Sequence, residues 1–289
     1  MRENGHKRSL KSDIGNLKNL MPWIGDLDIS KINMGTLQPW LEHRNAQNLQ
    51  ATTINHGLKV VRRILNLASS EWMDEQGLTW IAAASKLSLL PEDDKRPPYP
   101  LDWEEQDRLL KELPTHLQEM ALFKVNVGCR DSEVCELRWS WEVPIPEMDT
   151  SVFIIPKEYV KNKKDRLVVL NQIAHSVIES RRGKHPTHVF SYKGKPVLRM
   201  GNSAWQRARK RAELPDLHVH DLKHTFGRRL RAAGVSFEDR QDLLGHKSSR
   251  KTTHYSAVEL DKLIEAANKI CERSHSGVAL VLIKQKPTI

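Results

Sequence analysis

Tyr255 stands nine residues after His246 in the run LLGHKSSRKTTHYS. A free tyrosine ionises near pH ~10, so it is a nucleophile only when cations surround its oxygen or a base takes its proton. Three upstream segments could supply those groups. NVGCRDSEVCELRW holds Arg130, VKNKKDRLVVL holds Lys161, Lys163 and Lys164, and VHDLKHTFGRRL holds His220 and Lys223. A phenol, a guanidinium, ammonium groups and imidazoles suit attack on a phosphodiester without a metal. Such attack places extra negative charge on the non-bridging oxygens, which fixed donors must offset. Arginine does this best, because its fork is planar and permanently charged.

Each block also has a plainer reading. Arg130 and Glu133 stand at i, i+3, where a carboxylate can hold a guanidinium; on spacing alone an ordinary surface pair explains them. His220 and Lys223 share a helix face by the same spacing. His224, four residues after His220, invites a zinc reading of HDLKH. The metalloprotease helix needs glutamate after its first histidine, whereas Asp221 is shorter, and no third ligand has motif spacing. His224 reads better as a structural histidine, and no metal is expected. His246 could close a helix after a glycine cap, and Tyr255 could be a packing aromatic. Four blocks in this order are harder to dismiss than any one.

The elements that must position these groups are mostly helical. Residues 53–76 put Ile54, Leu58, Val61, Leu65, Ala68 and Trp72 on one stripe, with Lys59, Arg62 and Arg63 elsewhere. With short helices at 6–20 and 36–46, residues 1–90 are expected to form an all-α bundle. The prolines of 91–100 read as a linker. Asp102 is a plausible N-cap, and HLQEMALFKVNVG a buried helix ending at Gly128. The β-rich runs 152–155 and 166–170 suggest a small hairpin with Lys161–Asp165 between them. Helices are expected at 172–182, 201–212, 220–233, 237–244, 249–256 and 257–271. The tail, 272–289, carries a strand-like VALVLI that needs a partner to bury it. The class is α+β, mainly α with a small sheet.

Charge points to a polyanion. The net charge is +10, and the excess is regional: residues 157–184 carry eight Lys/Arg against three acids, and 193–213 seven against one. By contrast, 91–119 carries nine acids against four bases. Arg62, Arg63, Lys163, Lys164, Arg207, Arg209, Lys210 and Arg211 are the candidate contacts to nucleic acid. Nothing long and apolar enough spans a membrane, and no secretory signal leads the chain. Three cysteines without a CxxC argue for a reducing cytoplasm.

In combination, GCR130DSE133, K161NKKDR, H220DLK223HTF, LGH246 and Y255 resemble the tyrosine recombinases, the phage integrase family. The resemblance covers about residues 98–271, and the N-terminal helices resemble the family's core-site DNA-binding domain. It implies a catalytic domain over 101–271 and a tail that packs on a neighbouring protomer. Arg130 would then hold the scissile phosphate with support from Glu133. Lys161 would protonate the leaving 5′-hydroxyl, with Lys163 and Lys164 as competitors. His220 would assist proton transfer, and His246 would bond a non-bridging oxygen. Tyr255 would attack, leaving a 3′-phosphotyrosyl link that keeps the ester energy, so neither ATP nor a cofactor is needed. Lys223 would contact phosphate, although the family usually has arginine there. The implied partners are double-stranded attachment-site DNA, further copies of the chain as a tetramer on synapsed DNA, and accessory DNA-bending proteins. The separate arm-binding domain of many integrases is not expected in this chain. Two other readings stay open: a type IB topoisomerase-like nicking–closing enzyme, and a non-catalytic DNA-binding remnant of a mobile element.

Overall fold

A computed structural model describes residues 9–93, 96–245 and 257–271. The chain divides into two compact units, Met1–Pro97 and Pro98–Ile289. The first is built on helices α1 (Leu10–Ile24), α2 (Met34–Ala46) and α3 (Ala51–Ser70). The stripe expected along α3 is its buried face: Ile54, Leu58, Val61, Leu65 and Ala68 meet Leu20 of α1 and Leu37 and Trp40 of α2. A Cβ on Gly57 would come within 2.7 Å of the Trp40 ring, so glycine lets the indole lie against α3. The helix stops at Ser70, short of the expected end. Asp74 accepts hydrogen bonds from the N–H groups of Gln76 and Leu78, and Gly77 takes a φ of 81°. That Asx turn competes with the helix and wins, leaving Trp72 beyond it, against Trp80.

The second unit opens with α4 (Trp103–Glu112), whose N-terminus has the expected Asp102 cap, reciprocated by Glu105. Helix α5 (Thr115–Val127) is buried on nearly every side, packing against α7 (Gln172–Arg181) and α9 (Asp221–Ala232). Its apolar residues therefore form no single stripe. Each core leucine or phenylalanine so buried contributes about 1.5–3 kcal/mol. The helix ends at Gly128, which is left-handed at φ 62°; a Cβ there would also lie 2.5 Å from Phe226. The short α6 (Asp131–Cys135) follows.

The sheet has three antiparallel strands in the order β1 (Glu142–Ile145), β2 (Thr150–Ile155), β3 (Arg166–Val169). Strand β1 goes beyond the expected hairpin; its Pro144 is tolerated because β1 is an edge. A second hairpin, β4 (Ser191–Tyr192) and β5 (Lys195–Pro196), turns through Lys193 and Gly194, both at positive φ. Next come α8 (Ser203–Arg211), α10 (Phe237–Leu244) and α11 (Ala257–Asn268). Phe226, Leu230, Leu243, Leu263 and Ala267 join α9, α10 and α11 to Val169 of β3. The expected helix 249–256, His246, Tyr255 and the tail 272–289 lie outside the described residues.

Candidate active site

Arg130 is the N-cap residue of α6, two residues after the left-handed turn at Gly128. Glu133, one turn on, is 1% exposed. Its Oε1 accepts from Arg130 Nη1 at 2.7 Å, and its Oε2 from the Arg130 backbone N–H at 2.8 Å. The surface pair that spacing suggested is thus a buried anchor, while a quarter of the Arg130 side chain (24%) stays exposed. A guanidinium held from behind and open in front can take an anion.

A third group completes the anchor, and sequence reasoning gave it no role. Arg166, the first residue of β3, is 3% exposed, and its Nη1 donates to Glu133 Oε2 at 2.9 Å. The same fork reaches Leu244 O, Leu243 O and Gly128 O at 3.2–3.3 Å. Burial raises the Glu133 pKa, but the Arg166 charge and the Arg130 donors outweigh it and hold the carboxyl below its usual range. One signal could have found Arg166: it sits two residues before Val168, on the inward phase of β3.

Lys223 lies in the first turn of α9 and is 5% exposed. Its Nζ donates to Gly128 O at 2.7 Å and to Leu244 O. The ammonium that sequence assigned to phosphate is therefore bonded to two carbonyls, and Arg166 bonds the same two. Burial first, and then the Arg166 charge, depresses the Lys223 pKa to about 7. Lys124, also overlooked in the sequence, is fully buried and donates to Cys129 O at 2.6 Å; burial brings its pKa to about 8.

His220 is the N-cap residue of α9 and is exposed. Its ring meets His224 edge-on at 4.9 Å. Partial burial, then His224, Lys124 and Lys223, lower its pKa, so the neutral imidazole can accept a proton at neutral pH. Asp221 fixes this end of the helix: its carboxylate accepts from Tyr99 N and His218 N. Among the described residues, no three of His, Cys, Asp and Glu gather to hold a metal ion.

Hydrogen bonds thus draw three separate blocks to the Gly128 turn: Arg130 with Glu133, Arg166 at the mouth of the β2–β3 connection, and Lys223 one turn from His220. The end of α10, which leads to His246, is bonded into the same group. The model of the phage integrase family matches residues 101–261, a span that contains every one of these blocks and Tyr255. This chain belongs to the phage integrase family.

Relatives within and around that family agree. The integrase of Salmonella phage P22 is 28% identical over 233 residues, covering 76% of this chain and 57% of the phage protein. The chain thus spans little more than half of that relative. Tyrosine recombinase XerC of Brucella suis biovar 1 is 26% identical over 267 residues, covering 86% of this chain and 80% of XerC. The solved Tn1549 transposon integrase, in complex with circular intermediate DNA, superposes with a TM-score of 0.61 at 15% identity. The superposition covers 90% of this chain and 96% of that one, so the two share a fold.

In this phage integrase family member the candidate basic residues separate into two groups. Arg62 donates to Leu87 O, clasping the segment after α3. Arg209 donates to Leu217 O at 2.7 Å, and Arg211 to the Glu112 carboxylate at 2.6 Å. These three are engaged by the fold. Arg63, Lys163, Lys164, Arg207 and Lys210 are exposed, as is Lys161 in the connection between β2 and β3. Among the described residues, no helix is long and apolar enough to cross a membrane.

Proposed function

We propose that this chain is a site-specific DNA recombinase that cuts and rejoins duplex DNA through a 3′-phosphotyrosyl intermediate at Tyr255. The observation that carries this reading is the gathering of the Arg130, Arg166, Lys223 and α10 segments at the Gly128 turn, inside the span of the family match. Tyr255 Oη attacks phosphorus as neutral His220 takes its proton. The P–O5′ bond breaks, its electron pair leaves on O5′, and the Lys161 ammonium supplies the proton that makes the 5′-hydroxyl. Arg130, held by Glu133, offsets the charge on the non-bridging oxygens, and His246 adds a donor. The link to tyrosine is again a phosphate diester, so the reverse steps rejoin a strand with no other energy source. Exchange between two duplexes breaks four strands, one per active site, so four copies act together on attachment-site DNA.

The test is a suicide DNA substrate whose cut end diffuses away. Wild-type protein forms a covalent 3′-adduct that persists in EDTA. Tyr255→Phe binds with unchanged affinity and forms none. A 3′-linked adduct on the phenylalanine variant would remove Tyr255 as nucleophile, and a strict metal requirement would overturn the side-chain mechanism. One observation favours a second reading, a DNA-binding remnant: the Lys223 ammonium is bonded to carbonyls. Retarded but uncleaved DNA with the wild-type chain would establish it.

A further inference from the structure

Ten residues, 156–165, connect β2 to β3 and carry Lys161; at their two ends, Ile155 and Arg166 are ladder partners. The connection is held at more than its ends. The Lys157 N–H donates to Asp165 Oδ1 at 2.8 Å, closing the neck. Residues Lys157–Tyr159 form a 3-10 turn, and Val160 is fully buried in the main core. Tyr159 lays its ring against Trp141, with centroids 4.9 Å apart. The Arg138 guanidinium lies 5.0 Å from the Tyr159 centroid and 5.4 Å from that of Trp141, a cation shared by two rings. The tyrosine remains 39% exposed, so it adds little to the core. Beyond Val160 the exposed lysines are Lys161, Lys163 and Lys164, on a turn that the Lys163 N–H closes by donating to Val160 O at 3.3 Å, with Lys163 itself at φ 54°; Lys161 follows Val160 directly, two residues after Tyr159.

We infer that Tyr159, seated on Trp141 and Arg138, is a positioning residue that delivers Lys161, rather than Lys163 or Lys164, to the leaving oxygen. The inference rests on the recombinase reading above. Proton transfer needs a donor within about 2.6–3.2 Å of its acceptor. An unanchored arc would hold that distance only part of the time, and a displacement of about 1 Å can cost roughly 10²-fold in rate.

The test compares two suicide substrates, one with the normal bridging oxygen and one with sulfur in place of O5′. With sulfur, the P–S bond breaks and the thiolate leaves without a proton, because thiols ionise near pH ~8.5. Wild-type protein should form adduct on both. Lys161→Ala should lose about 10²-fold or more on oxygen and recover on sulfur. Tyr159→Ala should lose roughly tenfold or more on oxygen, recover on sulfur, and bind DNA unchanged. Tyr159→Phe, which keeps the ring, should restore most of the rate. Arg130→Ala should stay slow on both. Undiminished cleavage of the oxygen substrate by Tyr159→Ala would overturn the inference. So would a loss of equal size on both substrates, which with weakened binding would make Tyr159 a DNA contact instead. If wild-type protein cleaves neither substrate, the recombinase reading itself falls, before Tyr159 is tested.

Discussion

By the motif resemblance Lys223 stands where arginine is the expected residue, and its surroundings would make that difference consequential. A lysine can lose its proton in a buried site, whereas an arginine stays charged throughout the working pH range. The groups facing Lys223 are Arg166 from β3, Cys129, Arg130 and Glu133 around the Gly128 turn, and the carbonyls of Gly128 and Leu244. With its pKa depressed to about 7, the folded chain binds fewer protons than the unfolded chain from there up to the ordinary lysine value. Lys223 therefore makes the fold less stable below that window and relieves it as pH rises. Activity should follow the opposite sign. If the charge assists cleavage, the single-turnover rate should fall as pH rises through an apparent pKa at or above about 7. Lys223→Arg should abolish that falling limb and be as fast or faster at pH 8, whereas Lys223→Ala should lose about 10²-fold. Identical pH–rate profiles for the lysine and arginine proteins would show that the charge at this position takes no part.

Strand β3 does more than complete a sheet. Its first residue carries a buried guanidinium to Glu133, to the end of α5 and to the end of α10. The space beneath it is close: a Cβ on Gly245 would lie 2.6 Å from Arg166 Nη1, and Gly245 is itself left-handed at φ 59°. Methionine at 166 would keep much of the volume but remove every donor. Glu133 would be left buried with Arg130 as its remaining charged partner. Breaking such a pair costs about 3–5 kcal/mol, so Arg166→Met should lower the urea midpoint accordingly. It should also slow adduct formation, because Arg130 would lose a fixed anchor. A midpoint within experimental error of wild type would show that the other donors around Glu133 suffice.

Across the whole molecule, charge that is separated along the chain is partly joined in space. Glu112 of the acidic stretch takes Arg211 at 2.6 Å, and Glu119 takes Arg181 at 2.9 Å and Lys184 at 3.7 Å. The cations left exposed, such as Lys161, Lys163, Lys164, Arg207 and Lys210, are those able to meet phosphate. The first unit offers Arg63 on α3 in the same way. We expect affinity for duplex DNA to fall with salt at a log–log slope on the order of −5 or steeper. Residues 98–289 hold both apolar clusters of the second unit and should fold alone, binding with a shallower slope because fewer counterions are released. Equal slopes for the fragment and the full chain would mean that the first unit makes no phosphate contact.

What was readable without coordinates came from short-range rules. The Asp102 cap, the Gly128 stop, the α3 stripe and the 237–244 helix depend on residues within a few positions of one another, so their signals survive in a linear string. The order of the chemical blocks is likewise a property of the chain itself. Tertiary structure decided which of those groups are buried and what they touch. Glu133 became an interior anchor only because Arg166, 33 residues away, meets it. Lys223 turned inward to a carbonyl 95 residues away, and Arg211 was neutralised by a glutamate 99 residues away. Burial and partnership over such separations depend on how helices and strands pack, and packing is a property of all the elements together that no local pattern encodes.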